Sequence, residues 1–148
     1  MRVLLQAVKN ASVVIDEKTY SSINRGFLLL VGFNNDDNLE IVNKTISKAC
    51  GLRVFADENG KTNLGLNDID GEILCVSQFT LYADIKKGKR PSFVNAARGE
   101  ISEPLYNETI RLIREMGYKC QTGVFGADMK IHLVNDGPMT IIIDSEEL

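Results

Sequence analysis

Residues 26–51 read GFLLLVGFNNDDNLEIVNKTISKACG, and this stretch decides the class of fold. Gly26–Phe33 is apolar at nearly every position, the composition of a strand buried on both faces. Asp37-Asn38-Leu39-Glu40 then carries a capping-box pattern, with Asp37 placed as N-cap and Glu40 three positions on. Behind it Leu39, Val42, Ile46 and Ala49/Cys50 recur at helical spacing, and Gly51 supplies a stop. A buried strand leading into an amphipathic helix requires a domain that packs sheet against helix.

Upstream, Arg2–Val8 and Ser12–Ile15 read as strands, the second bounded by Asp16-Glu17. Downstream, Leu52–Ala56 reads as a strand ended by the turn residues Asp57-Glu58-Asn59-Gly60, and Glu72–Phe79 as a central strand. Asp84–Ser92 is a loop. A second amphipathic helix is predicted over Glu103–Met116, with Ser102 as its cap and Pro104 in its first turn. Three strands follow, near Lys119–Phe125, Met129–Val134 and Met139–Asp144, the last two joined by Asn135-Asp136-Gly137-Pro138. No repeat, linker or low-complexity tract divides the chain. The expectation is one α+β domain over residues 1–148, with a largely antiparallel sheet and two main helices.

Composition removes several function classes. The 148 residues are 44% hydrophobic and 25% charged, which fits a single globular core and argues against disorder. Lys and Arg number 17 against 20 Asp and Glu, so a wholesale basic nucleic-acid binder is out, while a local basic patch is not. No apolar run approaches the ~18 residues of a membrane span, and the N-terminal stretch is too short and too polar for a signal peptide. Cys50, Cys75 and Cys120 are odd in number, far apart and without a CxxC, which argues against a disulfide framework or zinc and for a reducing, cytoplasmic setting. The one histidine, His132, rules out a multi-histidine metal centre, and strand alternation places it on the surface opposite Ile131 and Leu133. No phosphate-binding glycine motif supports a nucleotide cofactor.

Three segments remain. Lys86-Lys87-Gly88-Lys89-Arg90 concentrates four cations in an acidic protein, a solvated loop or a phosphate contact. Ser77-Gln78-Phe79-Thr80-Leu81 brings two hydroxyls and an amide to the end of a buried strand. Asn135–Pro138 has turn composition and would pass for a hairpin connection.

Taken together, SQFTL at 77–81, KKGKRPSF at 86–93, TGVFGADM at 122–129 and NDGPMT at 135–140 resemble the D-aminoacyl-tRNA deacylase (D-tyrosyl-tRNA deacylase) family, in order and spacing along the whole chain. The resemblance implies that family's partly barrel-like fold and a homodimer. It implies hydrolysis of the ester between a D-amino acid, or mischarged glycine, and the 3′-terminal adenosine of tRNA, without metal or cofactor. By the same resemblance, Ser77, Gln78, Phe79 and Thr80 form the pocket wall and oxyanion support. Asn135, Gly137 and Pro138 of the other subunit select chirality through a cis Gly-Pro whose main-chain oxygens approach the α-carbon. Lys86, Lys87, Lys89 and Arg90 are the expected tRNA phosphate contacts. Since no base is evident beside Ser77 or Thr80, hydrolysis assisted by the ribose 2′-OH is expected, with a Thr80 nucleophile as the minor alternative.

Two positions depart from the family pattern: Ala7 stands where an Arg bracing the Gly-Pro segment is usual, and Met139 where Val is usual. Two other readings stay open: a related deacylase with trans Gly-Pro that tolerates small L-amino acids, and a non-enzymatic dimeric tRNA-binding module.

Overall fold

A computed structural model describes all of residues 1–148. The elements run β1 (Arg2–Ile15), β2 (Lys18–Ile23), β3 (Gly26–Gly32), α1 (Leu39–Cys50), β4 (Phe55–Ala56), β5 (Thr62–Leu64), β6 (Glu72–Ser77), α2 (Gly99–Glu115), β7 (Cys120–Thr122) and β8 (Lys130–Asp144). The six-stranded sheet is ordered β2-β1-β3-β6-β7, with β8 paired along the other side of β1. Pairings through β1 are antiparallel, whereas β3–β6 and β6–β7 are parallel, which makes the sheet mixed. The Ser21 hydroxyl of β2 donates to the Thr122 carbonyl of β7 at 2.6 Å, drawing the two ends of the sheet path together into a nearly closed barrel. A small β4–β5 hairpin stands apart.

Helices α1 and α2 pack on one face over the larger core, which includes Leu5, Phe27, Leu29, Ile46, Ile73 and Ile113. The curled opposite face closes over a second cluster around Val8, Val13, Leu28 and Leu74. Every side chain of Phe27–Val31 is buried or nearly so, as the apolar run predicts.

Several boundaries differ from expectation for identifiable reasons. β1 is one continuous 14-residue strand, because β8 pairs with both of its halves across the exposed Lys9-Asn10. β2 is a strand that its polar sequence does not announce: its hairpin with β1 is made by Asp16 and Glu17, both at positive φ (48° and 63°). Asn38, not Asp37, caps α1, its Oδ1 accepting from Glu40 and Ile41 N–H at 3.0 and 3.1 Å. Asp37 is buried instead, accepting from Asn34 N–H and from the Met1 amine.

Helix α2 starts at Gly99, a turn earlier than predicted, and Ser102 lies inside it with its hydroxyl donating to the Arg98 carbonyl at 3.0 Å. Only Phe55–Ala56 of the expected 52–56 strand is paired, since its partner β5 offers three residues. β6 ends at Ser77, where the chain turns into a 3₁₀ segment at Phe79–Tyr82, and β7 covers only Cys120–Thr122.

The largest correction concerns Asn135–Pro138. No hairpin forms there, and β8 continues beside β1 on both sides of it. Val8 pairs with Asn135 and Gln6 with Thr140, so residues 136–139 leave the ladder as an excursion opposite the single residue Ala7.

Candidate active site

At the C-terminal end of β6 the ladder with β3 finishes with Gln78 N–H donating to the Val31 carbonyl at 2.7 Å. The chain then winds into the 3₁₀ segment, where Leu81 N–H donates to Gln78 O. Phe79 and Thr80 N–H precede the first donor of that turn, Leu81 N–H, and have no partner within it. Gly32 makes the crossing possible: a Cβ there would lie 2.7 Å from the Gln78 carbonyl oxygen and 3.2 Å from Leu81 Cβ. The sequence signal for this role is a glycine interrupting a buried strand, which marks close backbone approach.

Ser77, Gln78 and Phe79 line a cavity of about 440 Å³ whose other walls include Phe125 and Met129 from the β7–β8 connection and Gly99 at the start of α2. The positive end of the α2 dipole therefore borders the space. Thr80 is exposed and outside the lining, its hydroxyl accepting from Gln78 Nε2. No imidazole faces the cavity. Its one carboxylate, Asp128, is paired with Lys130. His132 is exposed on β8 opposite Ser12, with Ile131 and Leu133 turned to the second core cluster, as alternation predicts. A hydroxyl with no neighbouring base is a poor covalent nucleophile, whereas free N–H groups at the cavity mouth suit a developing oxyanion.

The Gly137–Pro138 peptide is cis, and Gly137 has φ 123°. Both residues are exposed and do not reach the cavity of their own chain. The neck of the excursion is tied by side chains. Met139 N–H donates to Asn135 Oδ1 at 3.2 Å, Asn135 Nδ2 to Thr140 Oγ1 at 2.8 Å, and Gln6 Nε2 to Thr140 Oγ1 at 3.3 Å. Ala7 is 2% exposed in the main core, and Met139 packs against that core. Gln6 and Thr140 were not among the expected site residues. Only the register across β1 and β8 brings them together.

Lys86, Lys87, Lys89 and Arg90 are all exposed and none is ion-paired. They occupy a finger closed at its root by paired Asp84 and Ser92, whose backbone bonds are 2.7 and 2.9 Å. Three His, Cys, Asp or Glu side chains gathered as for a metal ion occur nowhere. The three cysteines are buried and free.

The family model described as D-Tyr-tRNA(Tyr) deacylase matches residues 4–144. The chain belongs to that family. It is similar to the D-aminoacyl-tRNA deacylase of Lactobacillus acidophilus, 52% identical over 97% of this chain and 99% of the relative. The corresponding enzyme of Thermotoga petrophila is 50% identical over 100% and 99% of the two chains. A solved structure described as c-Myc DNA Unwinding Element Binding Protein superposes with a TM-score of 0.91 at 38% identity, covering 97% of this chain and 98% of the other. With the family model and the two named bacterial relatives in agreement, the chain is a D-aminoacyl-tRNA deacylase, a hydrolase. No helix is long and apolar enough to cross a membrane.

Proposed function

We propose that this deacylase hydrolyses the ester of D-aminoacyl-tRNA, and of glycine mischarged on tRNA, releasing free tRNA and amino acid as a cytoplasmic chiral proofreader. The observation that carries the proposal is the 3₁₀ turn at Phe79–Tyr82: the Phe79 N–H has no partner within the turn, and Phe79 lines a cavity that holds no imidazole and whose one carboxylate, Asp128, is ion-paired with Lys130. An aminoacyl ester is already activated, so orientation and carbonyl polarisation suffice, an oxyanion donor being worth about 3–4 kcal/mol. The adjacent 2′-OH of the terminal ribose assists, and Ser77 and Gln78 shape the wall. Thr80 lies outside the cavity lining and its hydroxyl accepts from Gln78 Nε2, which supports a route without a Thr80 nucleophile.

Chirality is read by the Gly137–Pro138 excursion of a second subunit in a homodimer. Three features support this: the excursion is exposed, it is tied only at its neck, and it does not enter its own cavity. Leu4, Leu81 and Ile142, the last 72% exposed, line one surface hollow beside the end of the 77–81 segment and offer an apolar contact for a second subunit. Main-chain oxygens suit a proofreader that accepts many side chains, because they act at the α-carbon and exclude the L configuration sterically. The Lys86, Lys87, Lys89 and Arg90 finger supplies phosphate contacts.

Single-turnover deacylation of D-Tyr-tRNA, L-Tyr-tRNA and Gly-tRNA tests the reading. Rapid release from the D and glycyl substrates with L-Tyr-tRNA spared is expected. Equal rates on D and L substrates defeat the chirality assignment, and RNA binding without turnover defeats the enzymatic one.

A further inference from the structure

One surface feature is not used by the chemistry above. Phe79 and Phe93 are 54% and 38% exposed, large fractions for phenylalanine. They meet edge to face, with centroids 5.0 Å apart and planes at 70°. An edge-to-face contact of this kind restrains both rings and covers at most one face of either, and both side chains remain partly exposed. Phe79 stands at the mouth of the cavity. Phe93 follows Ser92, the root of the cationic finger, so the two rings bridge from the cavity to the unpaired charges of Lys86, Lys87, Lys89 and Arg90. Ile85 and Val94, 76% and 75% exposed, flank the finger root and extend the apolar surface.

We infer that Phe93, held by Phe79, is a stacking platform for the base of the penultimate, unpaired nucleotide of the RNA substrate. The inference rests on the deacylase reading, which places the terminal adenosine ester in the cavity. An occupant that leaves this cavity past Phe79 crosses Phe93 before reaching the finger. A flat apolar π-face followed by a row of cations matches a single-stranded nucleotide, with its base on the ring and its phosphates at the loop. It matches a second protein surface less well, because four unpaired cations within five residues would need acidic partners of their own. Stacking is indifferent to base identity, which suits an end sequence that gives a proofreader nothing to select.

The test compares a substrate that has a penultimate nucleotide with one that lacks it. Single-turnover kcat/KM is measured for D-Tyr-tRNA and for 3′-O-(D-tyrosyl)adenosine, using wild type, Phe93→Ala, Phe93→Leu and Phe93→Tyr. For Ala and Leu, the tRNA-to-adenosine ratio is expected to fall about tenfold, mostly through KM, within the range that base–aromatic stacking commands. Phe93→Tyr keeps a ring and is expected to retain the ratio. A 2-aminopurine at the penultimate position of a short CCA-ended oligonucleotide is expected to be quenched by wild type and not by Phe93→Ala. The same fractional loss on both substrates overturns the inference, since Phe93 would then merely support the cavity. So does an unchanged ratio, a Leu variant equal to wild type, or a shift to a smaller species in sedimentation, which would mean that a second copy of the chain covers the patch. A wild-type protein that cleaves neither substrate refutes the deacylase reading itself, whatever Phe93 does.

Discussion

Replacing Gly32 by alanine places one methyl group where the backbone of the 77–81 segment crosses β3. The added Cβ would sit 2.7 Å from the Gln78 carbonyl oxygen, against about 3.4 Å where ordinary contact begins, and 3.2 Å from Leu81 Cβ. Its nearest neighbour is backbone at the end of a paired strand, so no flexible side chain can swing away. The segment must yield by about 0.7 Å, carrying the Phe79 and Thr80 N–H groups with it. Overpacking of this kind costs roughly 1–3 kcal/mol. At roughly 2–4 °C per kcal/mol for a domain of this size, Tm should drop by several degrees. Catalysis should suffer more, since misplacement on the order of 1 Å costs about a hundredfold in rate. The expected single-turnover rate on D-Tyr-tRNA is ten- to a hundredfold below wild type (roughly, by the same scaling), in protein that is folded at the assay temperature. Gly65→Ala is the matched control: its nearest neighbours would lie 3.7 Å away, and both rate and Tm should be unchanged. A Gly32→Ala variant within twofold of the wild-type rate would refute the claim that this backbone crossing sets the position of the donors.

Substituting Lys86, Lys87, Lys89 and Arg90 together by alanine should weaken tRNA binding and flatten its dependence on salt by about 0.7 in log–log slope per lost single-strand phosphate contact, with the D-over-L preference retained; filter binding across a salt series measures it. Asn135→Ala removes two of the three ties at the neck of the Gly137–Pro138 excursion, leaving only Gln6 to Thr140, and the ratio of D-Tyr-tRNA to L-Tyr-tRNA deacylation should fall while the circular-dichroism melt changes little. Glu17→Gly should raise the urea midpoint, by about 0.5–1 kcal/mol of stability, because Glu17 occupies the left-handed region at φ 63° in a two-residue hairpin turn that favours glycine there. Burial pushes the Cys50 thiol up to about 12 and the Cys120 thiol to about 11, from 9.0. The native state therefore holds both neutral while the unfolded chain ionises first. Their contribution is intact below pH 9 and lost as pH climbs toward 11–12; an equally steep alkaline decline of the urea midpoint in the Cys50→Ala, Cys120→Ala double variant would contradict it.

Much of the molecule follows from local pattern. The apolar run at 26–33 can be satisfied only in a sheet covered on both faces, and the 3.6-residue period behind it only by a helix laid against that sheet. Both elements are therefore present where periodicity puts them. The four segments at 77–81, 86–93, 122–129 and 135–140 likewise identify the family, because their order and spacing are properties of the chain itself. Tertiary structure decided what depends on partners distant in sequence. Cap choice at α1 passed to Asn38 once Asp37 was claimed by the Met1 amine, brought in from the start of the chain. β2 exists because β1 offers it a ladder, despite a polar sequence. The 135–138 segment has the composition of a hairpin turn, yet β1 pairs with β8 on either side of it and turns it into an excursion opposite Ala7. Its neck is tied by Gln6 and Thr140, 134 positions apart. The bridge of Phe79 and Phe93 between cavity and finger has the same origin. Periodicity reports which face of an element is apolar, whereas the neighbours that meet that face are fixed by register and packing, which no local pattern encodes.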